Sequence, residues 1–186
     1  LEKRWRMLKS VSRFFLEKYK NRPKNFVLSG QSDCSLLLKK IYSEVPYFDD
    51  WAFYKNKKIY FLKRAQLLIS DIWGAFEGKG LGYFKNLDYL TAFADYKLPQ
   101  ILQSLGILEY SPKLLLKIKN GQLIKSGSLL EIEIRAATVA AVEFLKEELR
   151  KRGKKVFSFQ LDWLLWEKSQ KEKMALPYHL TKTIFY

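Results

Sequence analysis

Six polar side chains stand where the surrounding pattern predicts burial or a pocket: Lys63, Asp71, Asp95, Glu133, Arg135 and Asp162. A charge in apolar surroundings is costly unless it is paired, hydrogen-bonded or functional, so each of them calls for a reason. Asp95 is the sharpest case, the first acidic residue of "TAFADYKLPQILQSLGILEY", residues 91–110, set among apolar and aromatic neighbours. It precedes Pro99 by four residues, so it can cap a helix by accepting backbone N–H groups, and the pattern leaves capping and function both open. Asp162 stands in the same relation to "WLLWEK". Lys63 and Arg64 open a helical stretch, where positive charge opposes the macrodipole; this predicts an external anion or a carboxylate partner. Glu131, Glu133 and Arg135 read as helix-surface charges, although Glu133 and Arg135 have the wrong spacing for a direct pair. His179 reads as a structural hydrogen-bonder, since no Ser, Cys or second His signature accompanies it. One cysteine, Cys34, and one histidine exclude an internal disulfide framework and a zinc cluster.

These residues need helices to hold them. Trp5, Leu8, Val11, Phe15 and Tyr19 recur at three- and four-residue steps, the stripe of an amphipathic helix with a basic opposite face. A second helix starts at Ser32 or Asp33, carries Leu36, Leu37 and Ile41, and stops before Pro46. "WAFYKNKKIYFL" predicts a small β-hairpin near residues 51–62, turning around Lys55–Lys57, and no larger sheet. Ala65, Leu68, Ile69, Ile72, Trp73 and Phe76 form another stripe, ended by Gly78, Gly80 and Gly82. Those glycines follow no strand and lack the Lys and Ser or Thr of a phosphate-cradling loop. Pro112 opens a short helix, and Ser128 with Glu131 at capping-box spacing opens the longest one, which stops at Gly153. Ala136, Ala137, Ala140 and Ala141 would let a neighbouring helix approach it closely. "FSFQ" predicts an extended piece leading into a short aromatic helix. With no repeat, linker or low-complexity segment, the fold class is mainly α: a single helical domain over residues 1–186 with a minor hairpin.

Composition narrows the function classes. A chain of 186 residues can bury a sizeable core, and its 13 Phe, 11 Tyr and 5 Trp suit either a filled interior or a pocket that stacks flat rings. No apolar run approaches the roughly 20 residues that span a bilayer. With no signal-peptide pattern and a lone cysteine, the expectation is a soluble, cytoplasmic protein. The formal net charge of +15 attracts nucleic acid, anionic surfaces or phosphorylated metabolites, and it concentrates in Lys3–Lys24, Lys55–Arg64 and Lys146–Lys155. Solvated helix faces are the plainer account of such runs.

"FLKRAQLLISDIWGAFEGKGLGYF", "LTAFADYKLPQILQSLGILEYS", "EIEIRAATVAAVEFL", "LDWLLWE" and the closing "PYHLTKTIFY" occur in this order along the chain. In these segments the sequence resembles the queuosine salvage proteins, a family of queuosine 5′-phosphate N-glycosylases. The resemblance covers nearly the whole chain and is strongest from Lys57 onward. It implies a helical fold related to helix-hairpin-helix DNA glycosylases but working on a small nucleotide, without metal or redox cofactor. Family members carry a further N-terminal segment, so the resemblance implies that this chain is the C-terminal main part. Leu180 and Lys182 stand where the family commonly has arginines, and no phosphate role is carried to those positions.

Cleaving an N-glycosidic bond builds positive charge on the ribose, which a carboxylate beside C1′ stabilises while it orients or deprotonates water. The resemblance gives that catalytic role to Asp95, in "FADY". It implies that Asp162, Trp163 and Glu167 read the base, by accepting from its N–H groups and by stacking, and that Lys63 and Lys97 hold the 5′-phosphate. His179, in the closing motif, joins the substrate-binding set. Two other readings remain at this point: a basic nucleic-acid-binding protein of glycosylase-like fold, and an inactive truncated homologue. Against the first, "LPQILQSLGIL" lacks the Gly-x-Gly hairpin that presents backbone N–H groups to phosphate.

Overall fold

Side-chain caps at Asp33, Ser111 and Ser128 fix the starts of three helices in the computed structural model, which describes residues 2–186. In chain order the elements are α1 (Glu2–Tyr19), α2 (Pro23–Leu28), α3 (Cys34–Glu44), β1 (Trp51–Tyr54), β2 (Lys57–Tyr60), α4 (Lys63–Ala75), α5 (Lys97–Ser104), α6 (Pro112–Lys119), α7 (Leu129–Lys151) and α8 (Ser158–Lys171). The mainly helical expectation holds, and β1 and β2 form the one sheet among the described residues. None of these helices is long and apolar enough to cross a membrane. The chain divides into two compact units. One comprises the residues up to Asp50 with Arg64–Tyr89 and Phe185; the other comprises Trp51–Lys63, Leu90–Ile184 and Tyr186.

In the first unit, only the C-terminal half of the α1 stripe finds a partner. Phe14, Phe15 and Tyr19 pack edge-on against Phe26 of α2 at centroid distances of 5.9, 5.6 and 5.2 Å, while Trp5 and Leu8 stay exposed. Asp33, not Ser32, caps α3, accepting from the backbone N–H groups of Ser35 and Leu36 at 2.9 and 3.0 Å. After α4 the glycine-rich loop folds back on its own helix. A side chain at Gly82 would sit 2.6 Å from Phe76 Cβ and 2.9 Å from the Ile72 carbonyl oxygen, so only glycine fits there.

The second unit carries the hairpin and the helices that follow it. Its register pairs Trp51 with Tyr60 and Tyr54 with Lys57, and both turn residues, Lys55 and Asn56, have positive φ (45° and 65°). Such a two-residue turn matches the twist of the flanking strands. Leu98, Ile101 and Leu102 of α5 pack against Ala141 and Val142 of α7 and Leu161 and Leu165 of α8. A neighbouring cluster joins Leu114 and Ile118 of α6 to Ile134 of α7 and to Ile124 and Leu176.

Several expectations for these helices need correction. Glu131 and Arg135 are not surface charges: they are 1% and 3% exposed, whereas Asp71 and Glu133 are exposed. Ser128 does cap α7, accepting from Glu131 N, but the Glu131 carboxylate returns to Gly127 N at 3.0 Å rather than to the cap residue itself. Of the four alanines, only Ala141 packs in the core. α8 begins at Ser158, so "FSFQ" is largely helical; the Gln160 amide oxygen accepts from Phe157 N at 2.9 Å and seals its first turn. Asp162 therefore lies inside α8 and cannot cap it.

Candidate active site

The second unit gathers most of the predicted polar residues around the segment Phe93–Lys97. Asp95 is 6% exposed, and its Oδ1 accepts from Lys97 N at 2.7 Å and Leu98 N at 3.1 Å. The capping geometry is thus present, and α5 with its buried Leu98 and Ile101 clamps the carboxylate in one orientation. The other oxygen, Oδ2, lies 3.5 Å from Lys63 Nζ, which is also largely shielded from solvent. Lys63 thereby has the carboxylate partner that its place at the start of α4 predicts.

Asp162 approaches the same segment from α8. It is 4% exposed, and its Oδ2 accepts from Phe93 N at 2.6 Å, two residues before Asp95. Burial pushes its pKa up to about 8, and the charge of Asp95 adds to the rise; the Phe93 N–H and the Lys63 ammonium oppose it. Two carboxyl groups in one site thus differ in setting. Asp95 has a direct ammonium partner, while Asp162 favours its protonated form at neutral pH and can then donate as well as accept.

Behind this pair stands a buried assembly that the sequence reading missed. Arg135 of α7 donates from Nε to the Ala94 carbonyl at 3.2 Å, and its guanidinium lies over the rings of Phe61 (4.0 Å) and Tyr186 (5.0 Å). It therefore touches residues one position before Asp95 and two before Lys63. Glu131, one helical turn away, lies 3.7 Å from the guanidinium and accepts from the Tyr186 hydroxyl at 2.8 Å. The i, i+4 spacing of Glu131 and Arg135 was the available signal, and the flanking Ile132 and Ile134 mark the face as apolar.

His179 is enclosed in the same unit, edge-on to Tyr186 at 6.2 Å. Burial drives its pKa down to about 4, with Arg135 acting in the same direction and Asp95 against it. Lys97 lies at the rim with its ammonium 5.4 Å from the Tyr178 ring centroid, and Tyr178 in turn sits 4.7 Å from Tyr96. Trp163 packs edge-on against Phe159 at 5.2 Å. Glu167 is exposed on α8 and paired with Lys171 at 2.6 Å, so it is not among the residues gathered around Asp95.

A buried, clamped carboxylate beside an ammonium, with a second carboxyl group of raised pKa, is an arrangement able to stabilise a cationic sugar and handle protons. Comparison with known proteins shows what the chain is similar to. A protein of Sphaerobacter thermophilus called queuosine 5′-phosphate N-glycosylase/hydrolase is 42% identical over 187 aligned residues, covering all of this chain and 58% of its own length. A Dictyostelium discoideum protein of the same name is 40% identical, covering 98% of this chain and 57% of its own length. One of Schizosaccharomyces pombe is 29% identical across the whole chain. The chain thus spans a little over half the length of these relatives. The family model described as queuosine salvage protein matches residues 1–186, and the chain belongs to that family.

Proposed function

We propose that this chain carries the hydrolytic centre of a queuosine 5′-phosphate N-glycosylase/hydrolase, which releases queuine for salvage into tRNA modification. The observation that carries the reading is the pair of the largely shielded Lys63 with the buried Asp95, which two backbone N–H groups fix. The relatives' shared name gives the substrate class. In this reading Asp95 faces C1′ of the ribose. The C1′–N bond breaks with its electron pair passing to the base, and the carboxylate stabilises the oxocarbenium-like sugar. Water then adds to C1′ and gives its proton to Asp95, yielding ribose 5-phosphate and the free base. Asp162, protonated, donates to the departing ring, whose 7-deaza framework offers no N7 to protonate; Trp163 contributes to the base-binding wall. Lys63 and Lys97 supply the ammonium groups for the 5′-phosphate.

The same reading includes the kinship with helix-hairpin-helix glycosylases, which the resemblance carries and with which the mainly helical fold is compatible. It also takes residues 1–186 as one queuosine-salvage-type domain. The test is incubation with queuosine 5′-monophosphate and mass-spectrometric detection of queuine. Release should occur with the natural chain and fall at least about 100-fold in Asp95→Asn, which keeps the cap geometry but not the charge. Undiminished release in that variant would remove Asp95 from the chemistry, and no release from either would favour an inactive homologue.

A further inference from the structure

His179 is the chain's sole histidine and is 2% exposed, yet neither Nδ1 nor Nε2 has a hydrogen-bond partner. A buried polar atom left unsatisfied costs about 1–3 kcal/mol, and such atoms persist where a ligand or an ordered water completes them. The ring is nevertheless held firmly. On one side Tyr178 packs against Tyr96; on the other the Leu180 carbonyl accepts from Ile124 N at 2.8 Å. The imidazole is therefore positioned by its chain neighbours and not by bonds to its own nitrogens.

Its surroundings decide what it can hold. Asp95 and Arg135 act on it electrostatically, and burial with Arg135 keeps it uncharged at neutral pH. An uncharged imidazole offers one donor and one acceptor, which suits an alcohol, whereas a phosphate is served better by Lys63 and Lys97. We propose that His179 takes hold of the substrate's sugar, exchanging a hydrogen bond with the ribose hydroxyl beside the reacting carbon, the 2′-hydroxyl. The assignment rests on the reading in which Asp95 faces C1′, because the group next to both Asp95 and the reaction centre is then the 2′-position. Hydrogen bonds at that hydroxyl strengthen as the sugar becomes cationic, so the contact would assist the reaction as well as binding.

A lone histidine makes the test direct, because its Cε1–H signal is the only one of its kind in a proton NMR spectrum. Titration with ribose 5-phosphate should move that signal saturably, and 2-deoxyribose 5-phosphate should bind at least about 10-fold more weakly. His179→Gln, which keeps a donor and an acceptor, should retain the preference; His179→Phe should bind both sugars alike. A signal that does not move, or equal binding of the two sugars by the natural chain, overturns the proposal and leaves an ordered water as the imidazole's partner. Release of queuine without sugar discrimination overturns this inference alone. Discrimination without release leaves it standing and overturns the hydrolase reading instead.

Discussion

At the scale of single residues, two buried titratable groups give opposite pH dependences. The folded-state pKa of Asp162 is raised to about 8, so the folded protein binds a proton there that the unfolded chain gives up near 4. The stability this contributes is full below the unfolded value and is lost as pH rises toward 8. His179 is depressed to about 4, so its contribution is intact above the unfolded value near 6.5 and is lost as pH falls toward 4. Between pH 4 and 6.5 the two slopes oppose each other; between 6.5 and 8 only that of Asp162 remains. Urea unfolding should therefore show stability declining from pH 6.5 to 8 in the natural chain, with Asp162→Asn flattening that limb. His179→Phe should flatten the loss of stability on the acid side. An unchanged limb in either variant would show that the group titrates normally in the folded state. Asp95 was legible in the sequence because a carboxylate among aromatic residues is conspicuous. The burial of Glu131 and Arg135 was not, because "EIEIRAA" also satisfies the pattern of a charged surface helix, and only packing against Phe61 and Tyr186 turns that face inward.

At the scale of elements, local chemistry decides where helices begin, and tertiary packing decides what they bury. The cap at Ser128 and, as one of two candidates, the cap at Asp33 follow from short-range rules and were readable in advance. The start of α8 was not, because "FSFQ" has strand-like residues and becomes helical through the Gln160 bond to Phe157 N and the burial of Phe159. That shift of a few residues places Asp162 mid-helix, where it reaches Phe93 instead of its own backbone. α7 illustrates how the two levels separate. Ser128→Ala should cost about 1 kcal/mol of stability, measured by urea unfolding, through loss of the bond to Glu131 N. Arg135 lies nearly two turns further on and is held by Phe61, Tyr186 and Ala94, so base release should be unchanged in that variant at temperatures where it stays folded. A drop in turnover without unfolding would show that the first turn of α7 helps set the site. Leu102→Ala, in the cluster shared by α5, α7 and α8, should cost about 3 kcal/mol, since it removes a fully buried side chain from a close-packed core.

At the scale of the molecule, the net charge of +15 is the feature that the proposed reaction uses least, since one phosphorylated nucleotide needs only a few ammonium groups. Much of the basic character in the α7 tail is locally compensated: Lys146 pairs with Glu143, Arg150 with Glu147 and Lys151 with Glu148. The last two pairs are exposed and add little stability, and the excess positive charge is left to act at long range. Salt separates the two uses of that charge. A protein making six or more phosphate contacts to duplex DNA loses about 10³-fold in affinity between 50 and 200 mM salt, through counterion release. In the proposed reading, a small nucleotide held by Lys63 and Lys97 releases few counterions. The kcat/KM for queuosine 5′-monophosphate should therefore change by less than about 10-fold over that range, while binding to an oligonucleotide, measured by fluorescence anisotropy, should fall away steeply. If turnover instead follows the steep dependence, the charged surface belongs to substrate recognition, and the natural substrate is a nucleic acid rather than the free nucleotide.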